Sequence, residues 1–142
     1  MTWLARLIDL IRRRQPVDPV PPGGEWSIPL ASEINAERQL RGLSPLLPHG
    51  PACTLAADWA AVCAKAGKLD HGNSGARIAA VYPGRPSGEN LAMGQTSPEQ
   101  VVRDWMTSPG HARNVVGDWT IVGAGRARGR DQQSYWCAVF VR

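Results

Sequence analysis

The sequence predicts an α+β domain, a three-layer α-β-α sandwich built on a small antiparallel sheet, and three observations carry that prediction. Residues 119–127 and 134–141 are strand-like runs joined by Gly129-Arg130-Asp131-Gln132, which is a hairpin pattern. In the second run Tyr135, Cys137, Val139 and Val141 alternate with Trp136, Ala138 and Phe140, so both faces of the strand are apolar. A strand apolar on both faces needs cover on both sides. The third observation is that the preceding residues hold three helical segments able to supply that cover.

Taken in order, the first helix is predicted over residues 33–41. Ser32 stands as its cap, Leu30, Ile34, Ala36 and Leu40 form its apolar side, and Gly42 is placed to end it. After the turn at Pro48 to Pro51 a second helix follows, with Leu55, Ala56, Trp59, Ala60, Val62, Cys63 and Ala66 as a wide apolar face. It should end between Gly67 and Asp70, beyond which a stretch rich in Gly, Asn, Ser and Pro reads as a loop to Gly88. Ser97-Pro98-Glu99-Gln100 is a helix start: Ser97 caps, Pro98 suits the first helical position, and Gln100 completes a capping box. This third helix carries Val101, Val102, Trp105 and Met106 and must stop near Ser108-Pro109-Gly110, with a short helical turn over residues 111–115.

The chain divides into a short amphipathic segment at 1–14, a Pro- and Gly-rich linker at 15–24 and one folded domain at 25–142. With 142 residues, 43% of them hydrophobic and 20% charged, the composition excludes wholesale disorder. The longest apolar run lies in residues 3–11, is broken by Arg6 and Asp9, and falls far short of the roughly 20 residues of a spanning helix. The net charge of +4 is concentrated at the start, where Arg6, Arg12, Arg13 and Arg14 face only Asp9. The rest is nearly neutral and shows no basic stripe, so nucleic acid is not an expected partner. Trp3, Leu7, Leu10 and Ile11 form one helical stripe, followed by arginines. Residues 1–14 therefore either contact a membrane surface or dock on the domain or a partner. The positive charge follows the apolar part, which is the wrong order for a Sec signal peptide.

Three cysteines, Cys53, Cys63 and Cys137, exclude a complete disulfide framework. On one helix Cys53 and Cys63 stand about 15 Å apart, beyond a disulfide's reach of about 7 Å. Any bridge would involve Cys137, and the simpler expectation is three buried thiols.

The residues with chemical potential lie in glycine-flanked settings: Leu69-Asp70-His71-Gly72, Gly88-Glu89-Asn90-Leu91 and Ser108-Pro109-Gly110-His111. Two imidazoles and a carboxylate can bind a divalent metal such as zinc with a position left open, or act as a carboxylate-oriented acid/base pair. The separations of 18 and 22 residues match no short metal motif, and the same residues can equally hydrogen-bond neighbouring loops.

The order of residues 33–38, 42–46, 55–60, 69–71, 88–92, 105–114, 122–125 and 135–140 resembles the bacterial branch of the CAP superfamily, the SCP-like domains related to cysteine-rich secretory proteins, antigen 5 and the pathogenesis-related proteins. The likeness spans about residues 30–141. It implies an α-β-α sandwich and a cleft in which two histidines and two acids face each other, with His71, Glu89 and His111 on three of these positions. The fourth acid of the eukaryotic pattern falls on Ser108, so the tetrad is incomplete, and Glu99 reads instead as a first-turn charge favoured by the helix dipole. Asn35, Arg38, Asn90, Arg113 and Asn114 also match, as side chains that tie loops together.

The resemblance implies a secreted or cell-surface protein and a cleft-centred binding module for a small-molecule, lipid or cell-surface ligand, with a divalent metal held by His71, His111 and Glu89, the last as ligand or as orienter. Two other functions remain open. One is a hydrolase, protease or esterase, drawing on Glu89, Ser108 and His111. Ser108 can equally be the cap of the next helical turn. The other is an interaction protein held to a membrane or assembly by residues 1–14.

Overall fold

The computed structural model describes residues 23–142, so the amphipathic segment at 1–14 and most of the linker lie outside the described residues. The elements are α1 (Ser27–Leu40), β1 (Leu47–Pro48), α2 (Gly50–Ala66), α3 (Ser74–Ala79), β2 (Ser87–Met93), α4 (Pro98–Met106), α5 (Pro109–Val115), β3 (Ile121–Arg128) and β4 (Ser134–Val141). They form the expected mixture of helices around a small sheet.

All eight residues of β4 are buried, and their alternation divides the interior. Trp136, Ala138 and Phe140 join Leu30 and Ile34 of α1, Val101, Val102 and Trp105 of α4, and Val115 of α5 in one core. Tyr135, Cys137, Val139 and Val141 join Ala52, Ala56, Ala60 and Cys63 of α2 and Ile78 of α3 in the other. The alternating apolar faces therefore do what period-two geometry requires, each packing against its own helical layer.

The strand order is β1-β3-β4-β2. β4 pairs antiparallel with both β3 and β2, whereas β1 pairs parallel with β3, so the sheet is not purely antiparallel. That departure is two residues long, and it arises where the chain leaves α1 and runs beside β3 before entering α2. α2 lies very close to β3. A Cβ placed on Gly123 would run into the Ala52 backbone, and one on Gly125 would come within 2.5 Å of the Ala57 Cα. Bare glycines opposite the small residues Ala52 and Ala57 let helix and sheet approach to this distance.

Several boundaries differ from the sequence expectation for identifiable reasons. α1 begins at Ser27, before Ser32, because Pro29 falls in the first turn, where a missing N–H breaks no helical hydrogen bond. Ala36 and Leu40 are exposed, Leu40 by 83%, while Arg38 is buried. Its guanidinium donates to the carbonyls of Ser44, Val115 and Gly117, which replaces the water it leaves. The presumed loop before Gly88 contains α3, capped by Asn73, whose side chain accepts from Ala76 N, and β2 then starts at Ser87. Ser97 caps α4 as expected, but Gln100 accepts from Thr96 N and not from Ser97 N, so the capping box closes one residue further out. Ser108 occupies the cap position of α5 without making a side-chain cap bond. Cys53, Cys63 and Cys137 are free and buried.

Candidate functional site

β2 is an edge strand, and its alternation sends consecutive side chains into different layers. Glu89 is opposite Val139 and shares its face of the sheet, toward α2 and α3; Asn90 is opposite Ala138, toward α4 and α5. Each holds one of the two histidine-bearing segments. Glu89 Oε1 lies 2.9 Å from His71 Nδ1. Asn90 Nδ2 donates to the His111 carbonyl at 3.0 Å and its Oδ1 accepts from Asn114 Nδ2 at 2.9 Å. The side chain of Asn114 closes so tightly on β2 that a Cβ on Gly88 would sit 2.7 Å from its Oδ1. Glycine at position 88 is thus what lets α5 come down onto the strand.

The Glu89 side chain is only 1% exposed. A carboxylate buried to this degree needs countercharge and hydrogen bonds. Arg77 from α3 supplies both: its Nη2 donates to Oε2 at 2.9 Å, to Oε1 at 3.1 Å and to the His71 carbonyl at 2.8 Å. The guanidinium lies 3.7 Å from the centroid of the Trp59 ring, and Trp59 Nε1 donates to the Asp70 carbonyl. Asp70 in turn accepts from Gly72 N, which shapes the turn carrying His71. Beneath Glu89 the Cys137 thiol stands 3.8 Å from Oε2. Burial, and the Glu89 charge after it, push this thiol well above its ordinary range, so it faces the carboxylate as S–H and not as thiolate.

These contacts fix the His71 tautomer. A carboxylate only accepts, so the nitrogen facing it, Nδ1, carries the proton. Nε2 then keeps its lone pair on the other side of a ring whose side chain is about half exposed (52%). His111 is half-buried, with its ring centroid 6.4 Å from that of Trp105. Burial holds its imidazole below the usual 6.5, and the charge of His71 when protonated adds to this.

Sequence reasoning singled out His71, Glu89, Ser108 and His111. The structure joins His71 to Glu89 directly and places His111 across the same edge strand. Ser108 sits at the start of α5 with no hydrogen bond to His111 among the described residues. Arg77 and Trp59 were missed in this role. Arg77 lay in a stretch that reads as loop, and Trp59 reads as core. Asn35, Arg38, Asn90 and Asn114 tie loops together as expected, Asn35 through a two-way pairing with Leu46. Glu99 lies in the first turn of α4, as a charge matched to the helix dipole. Among the described residues no group of three or more His, Cys, Asp or Glu is arranged to hold a metal ion.

The family model of the cysteine-rich secretory protein family, CAP, matches residues 31–140, which is most of the chain. The protein belongs to the CAP family. A curated relative, the uncharacterized protein YkwD of Bacillus subtilis, is 38% identical over 58 residues, and the match covers 40% of this chain and only 21% of that protein. Among solved structures, the CAP domain is similar to an outer surface protein of Borrelia burgdorferi, with a TM-score of 0.71, 24% identity and coverage of 80% of this chain and 89% of the other. It is also similar to an extracellular protein of Bacillus anthracis that contains an SCP domain, with a TM-score of 0.68, 21% identity, and 80% and 39% coverage. At these identities the structural likeness establishes the fold. The family and the fold thus agree with the resemblance read from the sequence.

Proposed function

We propose that this CAP domain is a binding module that works outside the cell or at its surface, in which the cleft at the β2 edge takes a lipid or cell-surface ligand with the help of a divalent metal held by His71 and His111. The observation that carries this reading is the His71–Glu89 pair. A buried carboxylate accepting from one ring nitrogen and leaving the other free is the arrangement that orients metal-binding histidines.

The donor set on this reading is a reduced one: His71 Nε2 and a ring nitrogen of His111 would be the protein's ligands, while both oxygens of Glu89 are engaged by His71 and Arg77. Glu89 is accordingly the orienter, and water or the ligand completes the coordination. Zinc accepts such nitrogens, and bound here it would supply a Lewis-acid centre for a carbonyl or anionic group of the ligand. Beside the His71 turn an open, apolar hollow of about 110 Å³, lined by Trp59, Val62, Cys63 and Ala66 among others, suits a small apolar portion of that ligand.

The hydrolase reading has less support. Ser108 lacks the hydrogen bond to a base that activates a hydroxyl, and Glu89, its two oxygens occupied, is poorly placed to take a proton. A surface location draws support from the outer surface and extracellular descriptions of the relatives. Membrane contact through residues 1–14 adds to this reading as a separate element.

Zinc titration by calorimetry at neutral pH tests the proposal, with His71→Ala and His111→Ala alongside and folding checked by melting curves. We expect one site per chain in the parent and loss of at least tenfold in affinity in each variant. Binding indifferent to both substitutions would assign zinc to His49 or the thiols and overturn the reading.

A further inference from the structure

We propose that Arg77 is the positioning residue of the cleft: held between the Trp59 indole and the Glu89 carboxylate, it fixes the plane of that carboxylate and thereby presents Nε2 of His71 to whatever the cleft binds. The inference rests on the reading of His71 as a cleft ligand, and it names the residue that makes this histidine competent.

One nitrogen, Nη2, serves Glu89 Oε1, Glu89 Oε2 and the His71 carbonyl. Arg77 therefore grips both ends of the His71–Glu89 interaction, the carboxylate that receives the ring and the backbone that carries it. Moving the guanidinium would release both together.

Nε and Nη1 of Arg77 are buried without a protein hydrogen-bond partner among the described residues, which disfavours the arrangement. The side chain is 22% exposed, so water lies within a bond rotation. An arginine that merely packed on α3 would turn to satisfy more of its five donors. Contact with the face of Trp59 offsets part of the loss by a cation–π attraction and blocks the rotation. Trp59 is itself fixed by its bond to the Asp70 carbonyl, one residue before His71.

A free neutral imidazole prefers its proton on Nε2, which would turn a donor toward the cleft. The Glu89 acceptor reverses this by holding the proton on Nδ1. Without Arg77 the carboxylate keeps, among the described residues, the ring on Oε1 and the distant Cys137 thiol on Oε2, a weaker hold on its plane. The ring then follows the carboxylate and Nε2 regains a proton in part of the population.

The test compares the full chain with Arg77→Met, which keeps the stem against Trp59, and Arg77→Lys, whose three ammonium donors can stand in for Nη2. Long-range proton–nitrogen spectra of labelled protein above pH 7 read the two His71 nitrogens directly. The parent should show a protonated Nδ1 and an unprotonated Nε2. Arg77→Met should shift both toward the averaged values of mixed tautomers and weaken zinc about 10- to 100-fold, as loss of a group orienting a ligand does. Arg77→Lys should recover most of both. An unchanged tautomer in Arg77→Met would overturn the proposal, whatever its effect on stability. If the parent binds no zinc but the tautomer shifts in Arg77→Met, the metal reading fails and the role of Arg77 stands. Should Arg77→Met not fold, the guanidinium signals of the parent decide: separate, slowly exchanging Nη resonances support the grip, and freely averaged ones contradict it.

Discussion

His111 shows how burial sets chemistry at the level of one side chain. The ring lies half-buried beside Trp105, and burial holds it below the ordinary 6.5, with the charge of His71 as a smaller cause. A proton titration by NMR should place the His111 midpoint below 6.5. His71→Asn should move it upward only part of the way, because burial remains. The consequence for stability has a definite sign. The unfolded chain binds this proton at about 6.5 and the folded chain only at lower pH, so the contribution present above 6.5 is lost as the pH falls toward the folded value. Stability measured in urea should decline over that window, and His111→Gln should flatten the decline. A midpoint at or above 6.5 would contradict the burial of the ring. On the proposed function, the same neutral imidazole would favour metal binding at neutral pH, since only the unprotonated ring has a lone pair to give.

Packing between α2 and β3 sets the behaviour of the elements. The Cβ of Gly123→Ala would strike the Ala52 backbone, which cannot yield as a flexible side chain can. We expect a loss toward the upper end of the roughly 1–3 kcal/mol that overpacking costs. Gly75→Ala in α3 is the control. There only the Asn73 Oδ1 lies near, at 4.0 Å, and the backbone is helical, so the change should stabilise by about 0.5–1 kcal/mol. Denaturant melts measure both; a neutral Gly123→Ala would show that the helix and sheet can separate freely. This contrast also marks what a sequence discloses. Apolar alternation in β4 announced cover on both faces, and Ser97-Pro98 announced the start of α4, because period and cap chemistry are local. α3 escaped notice because six residues are too few to display a helical period. The start of α1 escaped because a proline counts as a breaker until its position in the first turn is known.

For the molecule as a whole, the two helical layers meet at one edge of the sheet, and the proposed cleft would lie along that edge. Glu89 and Asn90, adjacent in sequence, reach into opposite layers and bring His71 and His111 to the same strand. The histidines and Glu89 were legible in the sequence from their glycine-flanked settings and from the family resemblance. The engagement of Glu89 by Arg77 was not, since no spacing in the chain encodes this contact between α3 and β2. Buried Arg38 was hidden for a similar reason: periodicity scores a charge as outward-facing, and only the fold reveals the three carbonyls that receive it. On the proposed function, the two layers deliver two imidazoles to one metal. An anomalous-difference map from crystals of the full chain grown with zinc tests it most directly. The account predicts a peak bonded to His71 Nε2 and to a ring nitrogen of His111, with Glu89 still on His71 Nδ1 and Arg77. A peak on Glu89 itself, on His49 or on the cysteines, or none at the cleft, would contradict it.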